Sequence, residues 1–248
     1  MKKKVIEYPL GTYSGEVKND LPHGKGKLVF KNSDVYEGCF SKGLRHGKGK
    51  DIFKSTGDKY TGNYKDGHPH GHGTYVWANG DKYIGNHSQG FKQGKGKEIL
   101  NNGEKYEGQF NFNDRSGKGT CIYINGDKYV GDFVQHKRNG KGIYYIKING
   151  EKYKGDFVED KRHGDGIYTY SKRVEVKNYI GEFRNELKHG HGTLNFRDGS
   201  AYIGEFKNGK FNGYGFFATM NTNKKVTTEY GIWEDGILIK KIKISKTP

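Results

Sequence analysis

Three histidines lie in one short stretch at a spacing that could bind a metal ion. His68, His70 and His72 are separated by single residues. Alternation places side chains on one side of an extended strand, where a zinc ion could gather three imidazoles. However, Pro69 lies among them at an expected turn, and His70 and His72 occupy regular positions of the repeat described below. We therefore predict no metal site and no cofactor.

A Gly-x-Gly motif recurs along the chain, as in Gly47-Lys48-Gly49, and glycine-rich loops can hold phosphate. A phosphate loop also needs a following helix and a Gly-Lys-Ser/Thr ending, and neither accompanies this motif. No Ser/His/Asp or Cys/His set departs from the repeat pattern. The sequence therefore predicts no catalytic residues and no enzyme.

The chain is strongly basic. It has 44 Lys and Arg against 28 Asp and Glu, which gives a formal net charge of +16. Such a field attracts acidic proteins, anionic lipid or nucleic acid, without choosing among them. The chain contains two cysteines, Cys39 and Cys121, too few for a disulfide framework. This usage favours a reducing, cytoplasmic compartment.

The dominant feature of the sequence is a repeat that opens with Tyr-x-Gly and recurs every 23 to 26 residues. We number each copy from its tyrosine as position 0. In all nine copies a Gly-x-Gly begins at position 11. The opening tyrosines are Tyr13, Tyr36, Tyr60, Tyr83, Tyr106, Tyr129, Tyr153, Tyr179 and Tyr202.

The spacing inside each copy indicates two strands. Positions 0, 2 and 4 alternate and share one strand face, as do positions 11, 13, 15 and 17. Positions 5 to 10 are polar and turn-like, and pairs such as Asn79-Gly80 and Asn102-Gly103 favour a second, tight turn. Each copy thus predicts strand, turn, strand, turn. The expected fold class is all-β, a long antiparallel meander of consecutive β-hairpins.

Glycine at positions 2, 11 and 13 weakens a strand in isolation. Its repetition predicts that side chains are excluded there, so that rings at positions 0, 4, 15 and 17 can lie over bare backbone and contact rings of the next copy. Aromatic pairs in edge-to-face contact add about 0.5–1.5 kcal/mol each beyond burial.

This pattern resembles the MORN repeat, as in Tyr36-Glu37-Gly38-Cys39-Phe40 followed by His46-Gly47-Lys48-Gly49. The resemblance implies an elongated, twisted, single-layer sheet with an aromatic-lined groove. It also implies a scaffold in cytoskeletal, ciliary or membrane-associated assemblies. Val17 and His87 depart from the aromatic usual at position 4. We divide the chain into a lead-in (1–12), nine repeats (13–228), and a partial repeat with a capping strand (229–248), the strand being expected over 237–244.

The aromatic groove is the first candidate site, with an amphipathic helix as its natural ligand. A single-layer sheet would expose one side of its aromatic stripe, and large exposed apolar patches mark binding sites. For any single ring, a role in the core is the simpler interpretation. The groove residues are Tyr36, Phe40, Tyr60, Tyr64, Tyr106, Phe110, Tyr129, Phe133, Tyr153, Phe157, Tyr179 and Phe183.

Two basic rows form the second candidate site, facing an acidic filament surface or an anionic bilayer. If positions 3 and 12 face each other within a hairpin, Glu16 meets Lys25 and Asp132 meets Lys141, and simple cross-strand charge pairs explain part of one row. For the other row, at position 9, the simpler interpretation is that its charges lie in turns and are solvated. The candidates are Lys48, Lys95 and Lys118 at position 12, and Arg45, Lys92, Arg115, Arg138, Arg162 and Lys188 at position 9.

Taken together, these features predict a non-enzymatic scaffold or adaptor that binds protein partners along the aromatic groove. The family resemblance implies that it does so within a larger intracellular, cytoskeletal or ciliary assembly. The alternative is a peripheral membrane module that binds phosphoinositide through the basic rows. The family resemblance also implies that the partner could be a second copy of the chain, in a homo-oligomer. Nucleic acid is disfavoured because the aromatic residues are committed to packing.

Overall fold

The computed structural model describes residues 2–220 and 226–243. All regular elements in these ranges are β-strands, which confirms the prediction of an all-β chain of consecutive hairpins. The chain divides into two compact units, Met1–Ile124 (unit 1) and Asn125–Pro248 (unit 2). No helix in the described ranges could cross a membrane.

The strands of unit 1 are β1 Lys2–Tyr8, β2 Gly11–Lys18, β3 Leu21–Phe30, β4 Val35–Ser41, β5 Leu44–Ile52, β6 Lys59–Lys65, β7 His68–Val76, β8 Lys82–Ser88, β9 Phe91–Ile99, β10 Lys105–Asn111 and β11 Asp114–Ile122. The strands of unit 2 are β12 Lys128–Val134, β13 Lys137–Tyr145, β14 Lys152–Val158, β15 Lys161–Thr169, β16 Val176–Arg184, β17 Leu187–Phe196, β18 Ala201–Lys207, β19 Lys210–Met220, β20 Val226–Glu234 and β21 Ile237–Lys241.

Within each unit, every strand pairs antiparallel with the next strand along the chain, as β4 does with β5 and β14 with β15. The first turn of a repeat is shorter than expected. Lys42 and Gly43 alone connect β4 to β5, and both have positive φ (51° and 85°), as a two-residue hairpin turn of the primed type requires. Position 9 therefore lies in a strand, and the prediction of a turn over positions 5 to 10 was wrong in its extent.

A row of facing glycines runs across the middle of the strands of unit 1. Gly38 of position 2 faces Gly49 of position 13 in its own hairpin and Gly26 of the preceding one. The ring of Tyr36 lies over this pair, and a Cβ on Gly49 would lie 2.3 Å from its hydroxyl oxygen. The glycine row exists because each tyrosine ring occupies the space of the missing side chains.

The tyrosines at position 0 form the centre of the core. Tyr36 is fully buried, and its hydroxyl donates to the backbone carbonyl of Cys39 at 2.9 Å, so the buried polar atom is satisfied. Its ring contacts Phe40 of the same repeat and Tyr64 of the next edge to face, with centroids 5.1 and 5.0 Å apart. The same contacts recur in unit 2, where Tyr153 packs against Phe157 and Phe183.

Strands also lie outside the nine repeats. The lead-in contains β1, which pairs with β2 in unit 1. In unit 2, β21 pairs with β20 and ends at Lys241. Ile244, the expected end of the capping strand, lies outside the described residues. The Trp233 ring of β20 packs on Tyr202 with centroids 5.5 Å apart, so an aromatic side chain closes the ring ladder of unit 2 at this end.

Candidate functional site

The rings expected to line an exposed groove are interior. Each is between 0% and 4% exposed, because rings of successive hairpins pack edge to face and further side chains cover them. The prediction that they are accessible to a partner was wrong, and their role is that of a core. The rings concerned are Tyr36, Phe40, Tyr60, Tyr64, Tyr106, Phe110, Tyr129, Phe133, Tyr153, Phe157, Tyr179 and Phe183.

The basic residues of position 9 supply much of that cover. Phe40 faces Arg45 directly across the hairpin, and directly opposite residues share a face of the sheet. The guanidinium of Arg45 lies 5.6 Å from the Tyr36 ring centroid and 5.3 Å from that of Tyr64. We call this group the cover cations: Arg45, Lys92, Arg115, Arg138, Arg162 and Lys188.

Carboxylates neutralise five of the six cover cations. The side chain of Arg115 is only 11% exposed, and it bonds to Glu98 at 2.9 Å and to Glu104 at 2.7 Å. Lys188 lies over the rings of Tyr179 and Phe206, and burial lowers its pKa. The prediction that this row faces an anionic partner was wrong, because its charges serve the aromatic core. The other ion pairs are Arg45–Asp51, Lys92–Glu98, Arg138–Asp160 and Arg162–Glu186.

One core position carries a histidine instead of the usual phenylalanine or tyrosine. His87 is 5% exposed and lies between the rings of Tyr60 and Tyr83, at 5.1 Å from each. Its Nδ1 atom is buried and has no hydrogen-bond partner. Burial lowers the pKa of the imidazole to about 4. His87 is therefore a neutral part of the core at neutral pH.

The opposite side of the sheet, which we call the open face, carries the side chains of positions 1, 3, 12 and 14. Its register differs from the one considered above, because a bulge follows position 2 in each hairpin. Position 12 therefore faces position 3 of the next repeat, as Lys48 faces Asn63 and Lys95 faces Gln109. Lys118 lies exposed in β11.

The position-3 carboxylates have a different role from the one expected. Glu16 accepts a hydrogen bond from the backbone N–H of Lys25 at 2.8 Å, and Asp132 accepts one from that of Lys141 at 3.1 Å. The ammonium of Lys141 instead contacts Asp156 of the following repeat at 2.7 Å. The charge pair expected within the hairpin is thus replaced by a pair between repeats.

In unit 1 the open face contains a groove that is open to solvent and rich in lysine. It has a volume of about 950 Å³, and Glu16 and Glu37 are its acidic lining residues. Six ammonium groups around two carboxylates make it a cationic surface, and the sequence pattern had not grouped these lysines together. Its basic lining residues are Lys3, Lys4, Lys25, Lys27, Lys48 and Lys50.

In unit 2 the open face is mainly apolar along positions 1 and 14, where Lys154 and Thr193 are the polar members. Ile167 faces Ile180 directly, and Ile203 faces Phe216. Ile180 is 45% exposed and Ile203 is 52% exposed. The sequence interpretation missed these residues because it followed the aromatic positions. The available signal was the isoleucine or valine that follows Tyr129, Tyr179 and Tyr202.

The three histidines of the metal hypothesis all lie in β7. Within residues 2–220 and 226–243, no cluster of three or more His, Cys, Asp or Glu side chains has a metal-binding arrangement. Cys39 is half-buried and Cys121 is buried, and both are free thiols.

A family model described as MORN repeat matches residues 13–35, 36–50, 60–82, 83–105, 106–128, 129–149, 153–173, 179–201 and 202–219. No curated protein gives a significant match.

Two solved structures resemble the chain weakly. The TCP domain of SAS-4 from Drosophila melanogaster, solved with a proline-rich motif of Ana2, is 12% identical over 73% of this chain and 90% of that one, with a TM-score of 0.41. A catalytically inactive virginiamycin B lyase from Staphylococcus aureus, solved with quinupristin, is 8% identical over 96% of this chain and 90% of that one, with a TM-score of 0.18. At these TM-scores neither likeness bears on function.

Proposed function

The chain belongs to the MORN-repeat family, and from this premise we propose that it is a non-enzymatic scaffold or adaptor that binds protein partners within a larger intracellular assembly. The single observation that carries the proposal is the open face. Its apolar side chains, such as Ile180 and Ile203, are about half exposed, and exposed apolar surface marks interaction sites. The family resemblance adds the cytoskeleton or the cilium as the proposed setting.

The surface that we assign to the partner differs from the aromatic groove. The rings of the groove are covered by their neighbours and by the cover cations, so a partner would have to displace a packed core to reach them. The open face requires no such displacement. The lysine-rich groove of unit 1 is open to solvent, whereas catalytic sites favour enclosed cavities. Both features support binding rather than catalysis.

Site-specific photo-crosslinking in cells tests this proposal. A photoreactive amino acid would replace Thr61 on the open face of unit 1 or Lys154 on the open face of unit 2. Ile148, which is 91% exposed in a turn, is the control position. We expect the same proteins to be crosslinked at Thr61 or Lys154 in replicate experiments and to be absent at Ile148. Open-face yields no higher than those at Ile148 would contradict the proposal.

A second candidate function is supported by the lysine groove of unit 1. Its ammonium groups could hold the phosphates of an anionic lipid, because clustered lysines near a bilayer each add about 1 kcal/mol of attraction. In that case the chain would be a peripheral membrane module. The cover cations play no part in this version, since carboxylates and rings already engage them.

Flotation with phosphoinositide vesicles at rising salt tests the lipid hypothesis. The charge-reversal variant replaces three groove lysines, and the control replaces three exposed lysines elsewhere in unit 1. We expect flotation to fall only in the first variant and to weaken with salt. Equal losses in both variants would show only a non-specific effect of net charge. The variant sets are Lys25→Glu, Lys48→Glu and Lys50→Glu for the groove, and Lys31→Glu, Lys54→Glu and Lys105→Glu for the control.

A further inference from the structure

One continuous row of residues crosses the open face of unit 2, with each member directly opposite the next across neighbouring strands. We call it the isoleucine row. Ile180 occupies its centre, between Ile167 of β15 and Thr193 of β17. Val130, at one end, is 37% exposed, and Ile203 is 52% exposed. The members are Val130, Ile143, Lys154, Ile167, Ile180, Thr193, Ile203 and Phe216.

The apolar character of this row is not a requirement of the fold. In unit 1 the same repeat positions carry charged and hydroxyl side chains except at Ile84, as where Glu37 faces Lys50 and Lys50 faces Thr61. Those strands form the same hairpins over the same tyrosine core. Since the repeat folds with polar residues at these positions, the exposed isoleucines of unit 2 need an explanation other than folding.

A second row lies beside the isoleucine row, two residues along each strand, and most of its members are carboxylates. Asp165 and Glu182 face each other directly in neighbouring strands, an arrangement that costs stability because like charges repel. On the other side of the isoleucine row the corresponding residues include no carboxylate. Thr169 faces Asn178 there, and the charged members are Lys128 and Lys152. The carboxylates of this acidic row are Asp132, Asp156, Asp165, Glu182 and Glu205. Lys141, which contacts Asp156, and His191 also lie in the row.

The direction of the isoleucine row restricts what can lie along it. Neighbouring strands are about 4.8 Å apart, whereas same-face residues of an extended peptide are about 6.8 Å apart. One turn of an α-helix rises about 5.4 Å. A helix running across the strands therefore offers one apolar side chain per strand, and an extended peptide does not. From Ile143 to Ile203 the row takes five steps, or about 24 Å, which corresponds to roughly 16 helical residues.

We propose that the open face of unit 2 binds an amphipathic α-helix whose apolar stripe is bordered on one side by lysine or arginine. The apolar stripe would cover the isoleucine row, and the cations would lie over the acidic row, relieving the repulsion between Asp165 and Glu182. This inference rests on the proposed function and specifies its partner. A second copy of unit 2 is the other occupant that the test below distinguishes.

Fluorescence anisotropy with the full chain and a designed peptide tests the inference. The probe is a labelled 18-residue helical peptide with leucines on one stripe and lysines along one flank (about 27 Å at 1.5 Å per residue). Two peptides serve as comparisons, one with glutamates in place of the lysines and one with the same composition in scrambled order. We expect saturable binding of the lysine peptide that weakens with salt, and at least tenfold weaker binding of both comparison peptides.

Two pairs of variants assign the binding to the two rows. The Ile167→Thr, Ile180→Thr variant keeps β-branched residues in the strands. It should bind the lysine peptide at least tenfold more weakly than the wild type does. The matched control is Val5→Thr with Ile84→Thr at the equivalent positions of unit 1, which should change binding less than twofold.

The Asp165→Lys, Glu182→Lys variant should also bind the lysine peptide at least tenfold more weakly than the wild type does. It should bind the glutamate peptide more tightly. That exchange of preference cannot result from misfolding. The inference would be overturned if the lysine peptide bound no better than its scrambled form, or if either variant pair bound it within twofold of the wild type. Self-association of the chain that is lost with Ile167→Thr and Ile180→Thr would also overturn it, because a second copy would then be the occupant.

Failure of this inference and failure of the proposed function give different results. If the peptide does not bind but Thr61 in unit 1 crosslinks to specific proteins, the scaffold proposal stands and only the partner of unit 2 is wrong. If the peptide binds while no open-face position crosslinks to any protein in cells, the helix site stands and the scaffold proposal is wrong.

Discussion

The phenol ring of Tyr36 lies against the α-carbon of Gly49, so that a methyl group on that carbon would be 2.3 Å from the tyrosine hydroxyl oxygen and 2.5 Å from two ring carbons. Tyr36 is fully buried and its hydroxyl is bonded to the Cys39 carbonyl, so it has no room to withdraw. The glycine and the tyrosine therefore form one packing unit, repeated in each hairpin.

The first prediction concerns this packing unit. Gly49→Ala should lower the free energy of unfolding by about 3 kcal/mol, because overfilling a packed core forces side chains and backbone to move. Gly67→Ala is the control. Its added methyl group would meet open space, although its φ of +86° adds backbone strain of about 1 kcal/mol. Urea unfolding midpoints would measure both variants, and equal shifts would contradict the steric explanation.

Much of this packing follows from the sequence alone. The constant offset between Tyr-x-Gly and Gly-x-Gly predicts the two strands of each hairpin, and glycine at positions 2 and 13 predicts the close approach of a ring. Whether other side chains cover the aromatic face cannot be predicted from the sequence. Alternation shows that Tyr36 and Phe40 share a face, but their burial depends on contacts from the next hairpin and on Arg45.

The sequence did not predict the role of Arg45, because the expected turn was longer than the observed one. Polar residues fill positions 5 to 10, and that composition resembles a long loop. The structure turns at Lys42 and Gly43 alone, which returns Arg45 to the strand opposite Phe40. The bulge after Gly38 lies opposite Gly47, which has a φ of +68° and so requires glycine for its backbone. The sequence interpretation assigned this glycine to ring packing and therefore missed the bulge, which decides which residues face each other on the open face.

The second prediction concerns pH and His87. Burial holds the pKa of this imidazole at about 4, below its ordinary value of 6.5, so the unfolded chain takes up a proton before the folded chain does. The contribution of His87 to stability is therefore constant above pH 6.5. It becomes unfavourable as the pH falls from 6.5 towards 4, by up to about 3 kcal/mol.

Replacing the histidine provides the test. His87→Phe restores the aromatic usual at this position, between Tyr60 and Tyr83, and removes the unpaired Nδ1 atom. We expect the variant to be more stable by about 1–3 kcal/mol at pH 7 and to lose less stability than the wild type between pH 6.5 and 4. Thermal unfolding across this range would measure both effects. Parallel losses in the two proteins would exclude His87 as the source.

The third prediction concerns the buried ion pair of Arg45 and Asp51. Asp51 is 3% exposed and accepts hydrogen bonds from Arg45 at 2.8 Å and from the Tyr64 hydroxyl at 2.6 Å. Burial raises the pKa of Asp51, and the guanidinium opposes that rise. Arg45→Met keeps an aliphatic cover but removes the charge, so it should cost about 3–5 kcal/mol at pH 7.

The pH dependence distinguishes lost charge pairing from lost packing. Without Arg45 the pKa of Asp51 rises further, so the carboxyl takes up a proton more readily as the pH falls. The deficit of the Arg45→Met variant relative to the wild type should therefore shrink between pH 7 and pH 4. Arg184→Met, at an exposed arginine, is the control and should have little effect. A deficit that does not change with pH would indicate packing alone.

The last prediction concerns Phe157, one of the rings first expected to contact a partner. It is 2% exposed and packs edge to face against Tyr129 and Tyr153, with centroids 5.1 Å away in each case. Phe157→Ala should therefore act on stability, with a loss of about 3–5 kcal/mol. Val158→Ala is the control, because the neighbouring side chain is exposed and should cost little.

The loss at Phe157 should also be local. In a repeat array each hairpin contacts only its neighbours, so stability behaves as a sum of repeat and interface contributions. Hydrogen exchange should show reduced protection in β13, β14 and β15 of the Phe157→Ala variant, while β18 and β19 keep theirs. Uniform loss of protection across unit 2 would contradict nearest-neighbour coupling. Full protection together with loss of partner binding would instead support the original prediction that Phe157 contacts a partner. The ring would then contribute to binding and not to stability.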